Sequence, residues 1–441
     1  MINPKEYARR RKQLMNMAGE RAAIVVPAAP ARIRNNDAHY PYRQDSDLLY
    51  LTGFEEPEAV LVLVPGRAAA ASILFCRERD PKREIWDGPR LGPERAPEAL
   101  GLDDAFPIED IDDILPGLLE NRERIHYPFG RDPEFDLKVM HWVNRTRQRV
   151  RGAARSPQGL IALGHLLHEL RLFKSRDELK LMGKAAAITV TAHRRLLAMC
   201  RPGLSEYEIE AELLHIFRKH QAVPAYEPIV GGGSNACILH YRNNDAVLQP
   251  DSLLLVDAGA EYCNYAADVT RTIPVSGVYS KPQRAIYELV LAAQKAAIAA
   301  VRPGQHWEAP HQAAVAVISA GLVELGLLKG PVDKVIQEAD YQRYFMHKTG
   351  HWLGLDVHDV GDYRIDGEPR LLEPGMVLTV EPGIYIAADD TRVARRWRGI
   401  GVRIEDDVVV TRDGNRVLTE DAPKEVAEIE ALMAQARAQA A

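Results

Sequence analysis

Cysteine is scarce in this chain. Cys76, Cys200, Cys237 and Cys263 are spread over 441 positions with no CxxC pair, which supports neither a disulfide scaffold nor a thiolate zinc site. Long apolar runs are missing too. None approaches the roughly 20 residues needed to cross a bilayer, because proline or charge interrupts each one. Residues 1–15, MINPKEYARRRKQLM, hold no continuous apolar stretch of the kind that forms a signal-peptide core. The expectation is a soluble, cytoplasmic protein with no membrane partner. Basic charge is not in excess: 56 Lys and Arg stand against 62 Asp and Glu, for a net charge of −6. No global field therefore exists to hold nucleic acid. The basic cluster at 145–155, RTRQRVRGAAR, lacks interleaved aromatics and reads as solvated surface or subunit contact. Gly231-Gly232-Gly233-Ser234 is not followed by Lys-Ser or Lys-Thr, so it reads as a flexible turn beside a substrate rather than a phosphate cradle. What remains open is a small or peptide-like partner.

The length exceeds the ~250–300 residues at which one hydrophobic core stops growing, so two domains are expected. Between residues 22 and 76 the runs AAIVV, AVLVLV and ASILF, separated by turn residues, predict short strands of an α/β domain. From Leu160 the stretch LIALGHLLHELRLF has a helical period, and Ser175 and Glu178 are spaced as a capping box opening a further helix. The boundary is placed at 172, giving domains 1–172 and 173–441. The second domain reads as α+β, with amphipathic helices over 178–200, 205–220, 283–301 and 312–327 alternating with Val-, Ile- and Leu-rich strands. Two strand pairs look alike: LLLVDAG with ADVTRTIPV, and VLTVEPGIYI with GVRIEDDVVV. Each pair carries an acid in both runs, which hints at an internal duplication.

Those acids are out of place. Asp257 follows LLLV, Asp268 follows two alanines, Glu381 follows MVLTV and Glu405 follows GVRI. A carboxylate set among apolar residues needs a cation or strong donors beside it. Taken singly, each could belong to a salt bridge or a turn. Together with His351, in a stretch that also holds His347 and His358, they suit two adjacent divalent ions. Metals about 3.5–4 Å apart need bridging carboxylates to offset their repulsion. Oxygen-rich ligation with one nitrogen favours manganese, cobalt or iron over a structural zinc site. A water between two such ions is acidified toward a nucleophilic hydroxide, and amide hydrolysis follows.

The stretches GGGSNACILHY, LLLVDAGAEYCNYAADVTRT, HKTGHWLGLDVHDVG, LEPGMVLTVEPGIY and GIGVRIEDDVVV resemble bacterial aminopeptidase P, or Xaa-Pro aminopeptidase, of the pita-bread metallopeptidase family. RNNDAHYPYRQDSDLLYLTGFEEPEAVLVLVPG resembles that family's N-terminal domain. The resemblance implies an α/β creatinase-like N-terminal domain and an α+β pita-bread catalytic domain with pseudo-twofold internal duplication. It implies Asp257, Asp268, His351, Glu381 and Glu405 as ligands of two ions, most often manganese, with cobalt, iron or zinc as alternatives. Asp268 and Glu405 would bridge the ions, and Glu381 would double as general base or proton shuttle. His240 and His358 would line the substrate pocket, with His347 auxiliary. Tyr385 and Arg403 would orient the carboxylates near Asp257, and Asp37 and Trp86 would reach the site from the N-terminal domain. The family's substrates are peptides beginning Xaa-Pro, and its bacterial members imply a homo-oligomer, tetramer or dimer. The segment His347-Lys348-Thr349-Gly350-His351 varies within the family.

The expected activity is release of the N-terminal residue ahead of proline by a hydroxide bridging two metal ions. The alternatives are a Xaa-Pro dipeptidase (prolidase), which uses the same ligands, and a pita-bread protein that has lost hydrolysis, such as a metal-free creatinase-type enzyme or a binding protein. Loss of ligands marks the latter class, and here all five positions are filled.

Overall fold

The computed structural model describes residues 2–148 and 155–440. The chain divides into two compact units, Met1–Arg171 and Leu172–Ala441.

The first unit is built on a mixed six-stranded sheet. Its strands are β1 (Ala22–Pro27), β2 (Val60–Leu63), β3 (Ser72–Cys76), β4 (Asp104–Pro107), β5 (Arg124–Tyr127) and β6 (Gly159–Ala162), in the order β4-β3-β2-β1-β5-β6. The three apolar runs of the sequence are β1, β2 and β3, each buried along most of its length. One sheet face packs on helix α1 (Pro133–Gln148) through Phe135, Val139, Trp142 and Val143. The indole nitrogen of Trp142 donates to Asp112 Oδ1 at 2.6 Å, which satisfies the one polar atom of a buried ring.

Two expectations are corrected in detail. Leu160, Ile161 and Ala162 belong to the edge strand β6, paired parallel to β5, and the helix begins only at Gly164. A four-residue apolar run has no period of its own, and the free edge of β5 decides it. In the glycine run, Ile229–Gly232 is a strand and Gly233–Cys237 a helical turn, with Gly232 N–H donating to Glu206 Oε1 at 2.6 Å; hydrogen bonding replaces the expected flexibility. Of the basic cluster, Arg145 pairs with Asp113 at 2.9 Å, and residues 149–154 lie outside the described ones.

The second unit sets short, twisted sheets among long helices: α2 (Arg176–Met199), α3 (Glu206–Lys219), α4 (Lys281–Ala300), α5 (Ala309–Glu324) and α6 (Val426–Ala440). Helix α2 begins with the anticipated capping box: Ser175 Oγ accepts from Glu178 N–H, and Glu178 Oε2 accepts from Ser175 N–H at 2.8 Å. The sheets come as two similar constructions. In one, β7 (Ile229–Gly232), β8 (Leu253–Asp257) and β9 (Thr270–Pro274) run antiparallel in that order. In the other, β10 (Val377–Val380) pairs antiparallel with β11 (Asp406–Val410), which pairs with β12 (Asn415–Val417). A separate ribbon joins β13 (Gly383–Ile386) to β14 (Ile400–Arg403). Among the described residues no helix is long and apolar enough to cross a membrane.

Candidate metal centre

Each sheet construction ends a buried strand on an acid. Asp257 is the last residue of β8, with Thr270 opposite it, and Asp268 lies two residues before β9. Glu381 follows β10, and Glu405 immediately precedes β11. The halves are joined where Glu405 N–H donates to the Thr270 carbonyl at 3.1 Å and Thr272 Oγ1 donates to the Arg403 carbonyl at 3.0 Å. All four acids thereby border one pocket of about 340 Å³, together with His351, His240, His347, His358, Tyr226 and Arg403.

Asp268, His351 and Glu405 each place a ligand atom within 4.8 Å of the others. His351 Nδ1 faces the Trp352 carbonyl at 2.9 Å. That contact assigns the ring hydrogen to Nδ1 and leaves the Nε2 lone pair for the pocket, where Asp268 Oδ2 lies 3.4 Å and Glu381 Oε1 3.9 Å away. The Tyr226 hydroxyl sits between two carboxylates, 2.5 Å from Asp257 Oδ1 and also against Asp268 Oδ1. One hydroxyl hydrogen satisfies only one of them. Arg403 donates to Asp257 Oδ2 at 2.6 Å, to the Tyr385 hydroxyl at 3.0 Å and to Thr270 Oγ1 at 3.1 Å. Tyr385 in turn lies 2.9 Å from His347 Nε2. Thr270 Oγ1 donates to Glu405 Oε2 at 2.7 Å, and Asp407 accepts the Asp268 N–H at 3.2 Å.

The electrostatics are those of a site short of positive charge. The four named acids face one buried guanidinium, that of Arg403, and burial followed by mutual repulsion pushes Glu405 well above the ordinary range. Burial likewise raises Asp257 against the pull of Arg403, and lifts Glu381 to about 7. His351 goes the other way: although burial opposes the cation, Asp268 and Glu381 carry the imidazole up to about 9. Burial and Arg403 hold His347 down at about 4, and burial with His351 lowers His358. A hard-oxygen donor set with one imidazole, and one hydroxyl hydrogen for two carboxylate oxygens, fits divalent cations. Asp257, Asp268, His351, Glu381 and Glu405 are the residues that could hold them.

Among the remaining sequence candidates, His358 stacks edge-on against His351 at 4.3 Å, and His240 borders the pocket from the loop after the glycine run. Asp37 and Trp86 are exposed on the first unit, Trp86 to 85%. Tyr226 was not anticipated; its only sequence mark is its place between Pro224 and Pro228.

The catalytic-domain model described as metallopeptidase family M24 matches residues 180–412, and the aminopeptidase P N-terminal domain matches 7–126. The chain belongs to metallopeptidase family M24. It is 45% identical over 440 residues to the Xaa-Pro aminopeptidase of Escherichia coli, covering 99% of each chain. Among solved structures, Pseudomonas aeruginosa aminopeptidase PepP superposes with a TM-score of 0.98 at 57% identity over 99% of both chains. An E. coli aminopeptidase P variant, glutamate replaced by alanine, in complex with substrate superposes at 0.96 with 44% identity, over 99% of this chain and 100% of that one. The two matched domains and these superpositions agree with an N-terminal domain followed by a pita-bread catalytic domain, and M24 membership implies divalent metal ions.

Proposed function

We propose that this chain is a Xaa-Pro aminopeptidase, hydrolysing the bond between the first residue of a peptide and a proline in second position. One observation carries the reading: Asp257, Asp268, Glu381, Glu405 and His351 border a single pocket in a chain that aligns end to end with a Xaa-Pro aminopeptidase at 45% identity. In this reading Asp257, Asp268, His351, Glu381 and Glu405 would hold two divalent ions, with Asp268 and Glu405 contributing to both. Bound there, the ions supply Lewis-acid polarisation of the scissile carbonyl and acidification of a water molecule.

The chain's own residues do the rest. Glu381, at the mouth of β10, takes the proton of the attacking water and returns it to the proline nitrogen as the bond breaks. His240 and His358 donate hydrogen bonds to the substrate as negative charge develops on the carbonyl oxygen. His347 is held by the Tyr385 hydroxyl at 2.9 Å, and Tyr385 by Arg403 at 3.0 Å, so the guanidinium that steadies Asp257 also sets the ring's position. Asp37 and Trp86 are assigned by resemblance alone.

The proposal takes manganese as the ion, 1–172 and 173–441 as the domains, a homotetramer as the assembly and the cytoplasm as the location. Manganese and the tetramer rest on the family resemblance, and the boundary on the helical period and capping box near residue 172; the four free thiols suit a reducing compartment. The test is release of the first residue from Xaa-Pro-Yaa, Xaa-Ala-Yaa and Xaa-Pro in the presence of manganese. Cleavage confined to the proline tripeptide supports the proposal, cleavage of the dipeptide alone makes the chain a prolidase, and no hydrolysis with any divalent ion rejects both.

A further inference from the structure

A second cavity of about 420 Å³ shares a wall with the metal pocket: Lys348 and Gly350, from the segment between His347 and His351, border both. Its size falls within the roughly 300–1,000 Å³ of small-molecule sites. Part of the lining is aromatic and apolar, formed by Trp307, Pro310, Tyr363 and Leu378, with the Trp307 and Tyr363 rings 4.6 Å apart.

The charges of this cavity can be counted. Glu308 and Arg364 pair with each other at 2.7 Å and cancel. His311 lies 2.8 Å from Thr349 Oγ1, and burial, with Lys348 nearby, holds its imidazole down at about 4, so it is neutral at neutral pH. Lys348 is left over. It is exposed, and its ammonium has no hydrogen-bond or ion-pair partner among the described residues. The cavity thus presents one uncompensated positive charge beside an apolar wall, next to the pocket that holds the scissile bond. One carboxylate joined to one side chain is its complement, and every short peptide ends in that group.

We propose that this cavity receives the C-terminal residue of short peptide substrates, Lys348 pairing with the terminal carboxylate and the wall of Trp307 and Tyr363 taking the last side chain. The inference rests on the Xaa-Pro aminopeptidase reading and adds to it a preference for short peptides with a free C-terminus. Lys348 is a specificity residue here, separate from the groups that act on the scissile bond.

The experiment compares kcat/KM for Xaa-Pro-Yaa and Xaa-Pro-Yaa-Zaa, each as free acid and as C-terminal amide, in the unaltered chain and in Lys348→Met, Lys348→Arg and Glu308→Gln. The unaltered chain favours the acid about fivefold at one or both lengths, the scale of a solvent-accessible ion pair, and the difference lies in KM. Lys348→Met brings the acid down to the amide, while Lys348→Arg keeps the preference. Glu308 borders the second cavity and is not among the residues lining the metal pocket, so Glu308→Gln removes a nearby negative charge and strengthens the preference. Equal rates on acid and amide in the unaltered chain, or an equal fall on both in Lys348→Met, overturn the proposal. An unchanged preference in Glu308→Gln overturns it as well, because it places the carboxylate outside this cavity. Failure to cleave any Xaa-Pro peptide defeats the functional reading instead, whereas cleavage without acid preference defeats the subsite alone.

Discussion

Lys174 and Asp359 form an ion pair sealed from water: Nζ to Oδ2 is 2.9 Å, and each side chain is 1% exposed. Lys174 stands just before helix α2, and its backbone N–H donates to the Gly375 carbonyl at 2.9 Å. Asp359 follows His358, and its N–H donates to the Trp352 carbonyl at 2.9 Å. The pair therefore anchors the loop that carries both His351 and His358. Lys174→Met removes the ammonium from beside a buried carboxylate. Removing one partner of a buried pair costs about 3–5 kcal/mol, far more than an exposed pair is worth. Adding Asp359→Asn removes the carboxylate charge that has lost its Lys174 partner while keeping the shape, and is expected to restore about 1–2 kcal/mol, within the usual range of coupling between contacting residues. Urea denaturation of the metal-free chain reads both values from the midpoint, provided the slope is unchanged. A loss below about 1 kcal/mol in the single variant, or a double variant no more stable than the single, would mean that the pair does not hold the loop. Turnover is expected to fall with the anchor, because His358 loses its fixed position.

Asp268→Ala and Glu405→Ala are each expected to abolish activity and metal retention together, read by elemental analysis of the purified variants; two ions retained in either would remove that residue from its bridging role. His358→Ala is expected to lower turnover by about a hundredfold, the scale for losing one donor to developing charge, while most of the metal stays bound. His193 gives a stability signature away from the pocket. Burial holds its imidazole down at about 4 against an ordinary 6.5, and its Nε2 lies 3.1 Å from the Ala258 carbonyl. Between those two values the unfolded chain takes up a proton that the folded chain does not, so stability falls as pH drops from about 6.5 to about 4. In His193→Gln the fall over that window is expected to be shallower, measured by denaturation midpoints across the range.

The site was legible where chemistry contradicts its surroundings. Asp257 and Glu381 stand at the ends of apolar runs, and no packing reason puts a carboxylate there. The run Glu405-Asp406-Asp407 was legible only in part. Glu405 faces the pocket, Asp406 turns to Arg271 at 2.7 Å and Lys424 at 2.5 Å, and Asp407 accepts the Asp268 N–H. Three adjacent acids carry no mark of which way each points until the strand's pairing fixes their alternation. Tyr226 was invisible for a related reason: its role depends on reaching two acids 31 and 42 positions away. In the fold, helix α2 announced itself by its capping box, whereas β6 hid inside an apolar run that only a neighbouring strand edge could assign. Lys348 and His311 acquire meaning only through the cavity they share.

The most direct test of the central claim follows metal and activity together. The chain is stripped with a chelator, dialysed and titrated with manganese while bound metal per chain and release of the first residue from Xaa-Pro-Yaa are recorded. Catalysis by a pair of bound ions requires no activity in the stripped chain, restoration as two ions bind, and neither binding nor activity in Glu405→Ala. Full hydrolysis by the metal-free chain, or by Glu405→Ala, would contradict it.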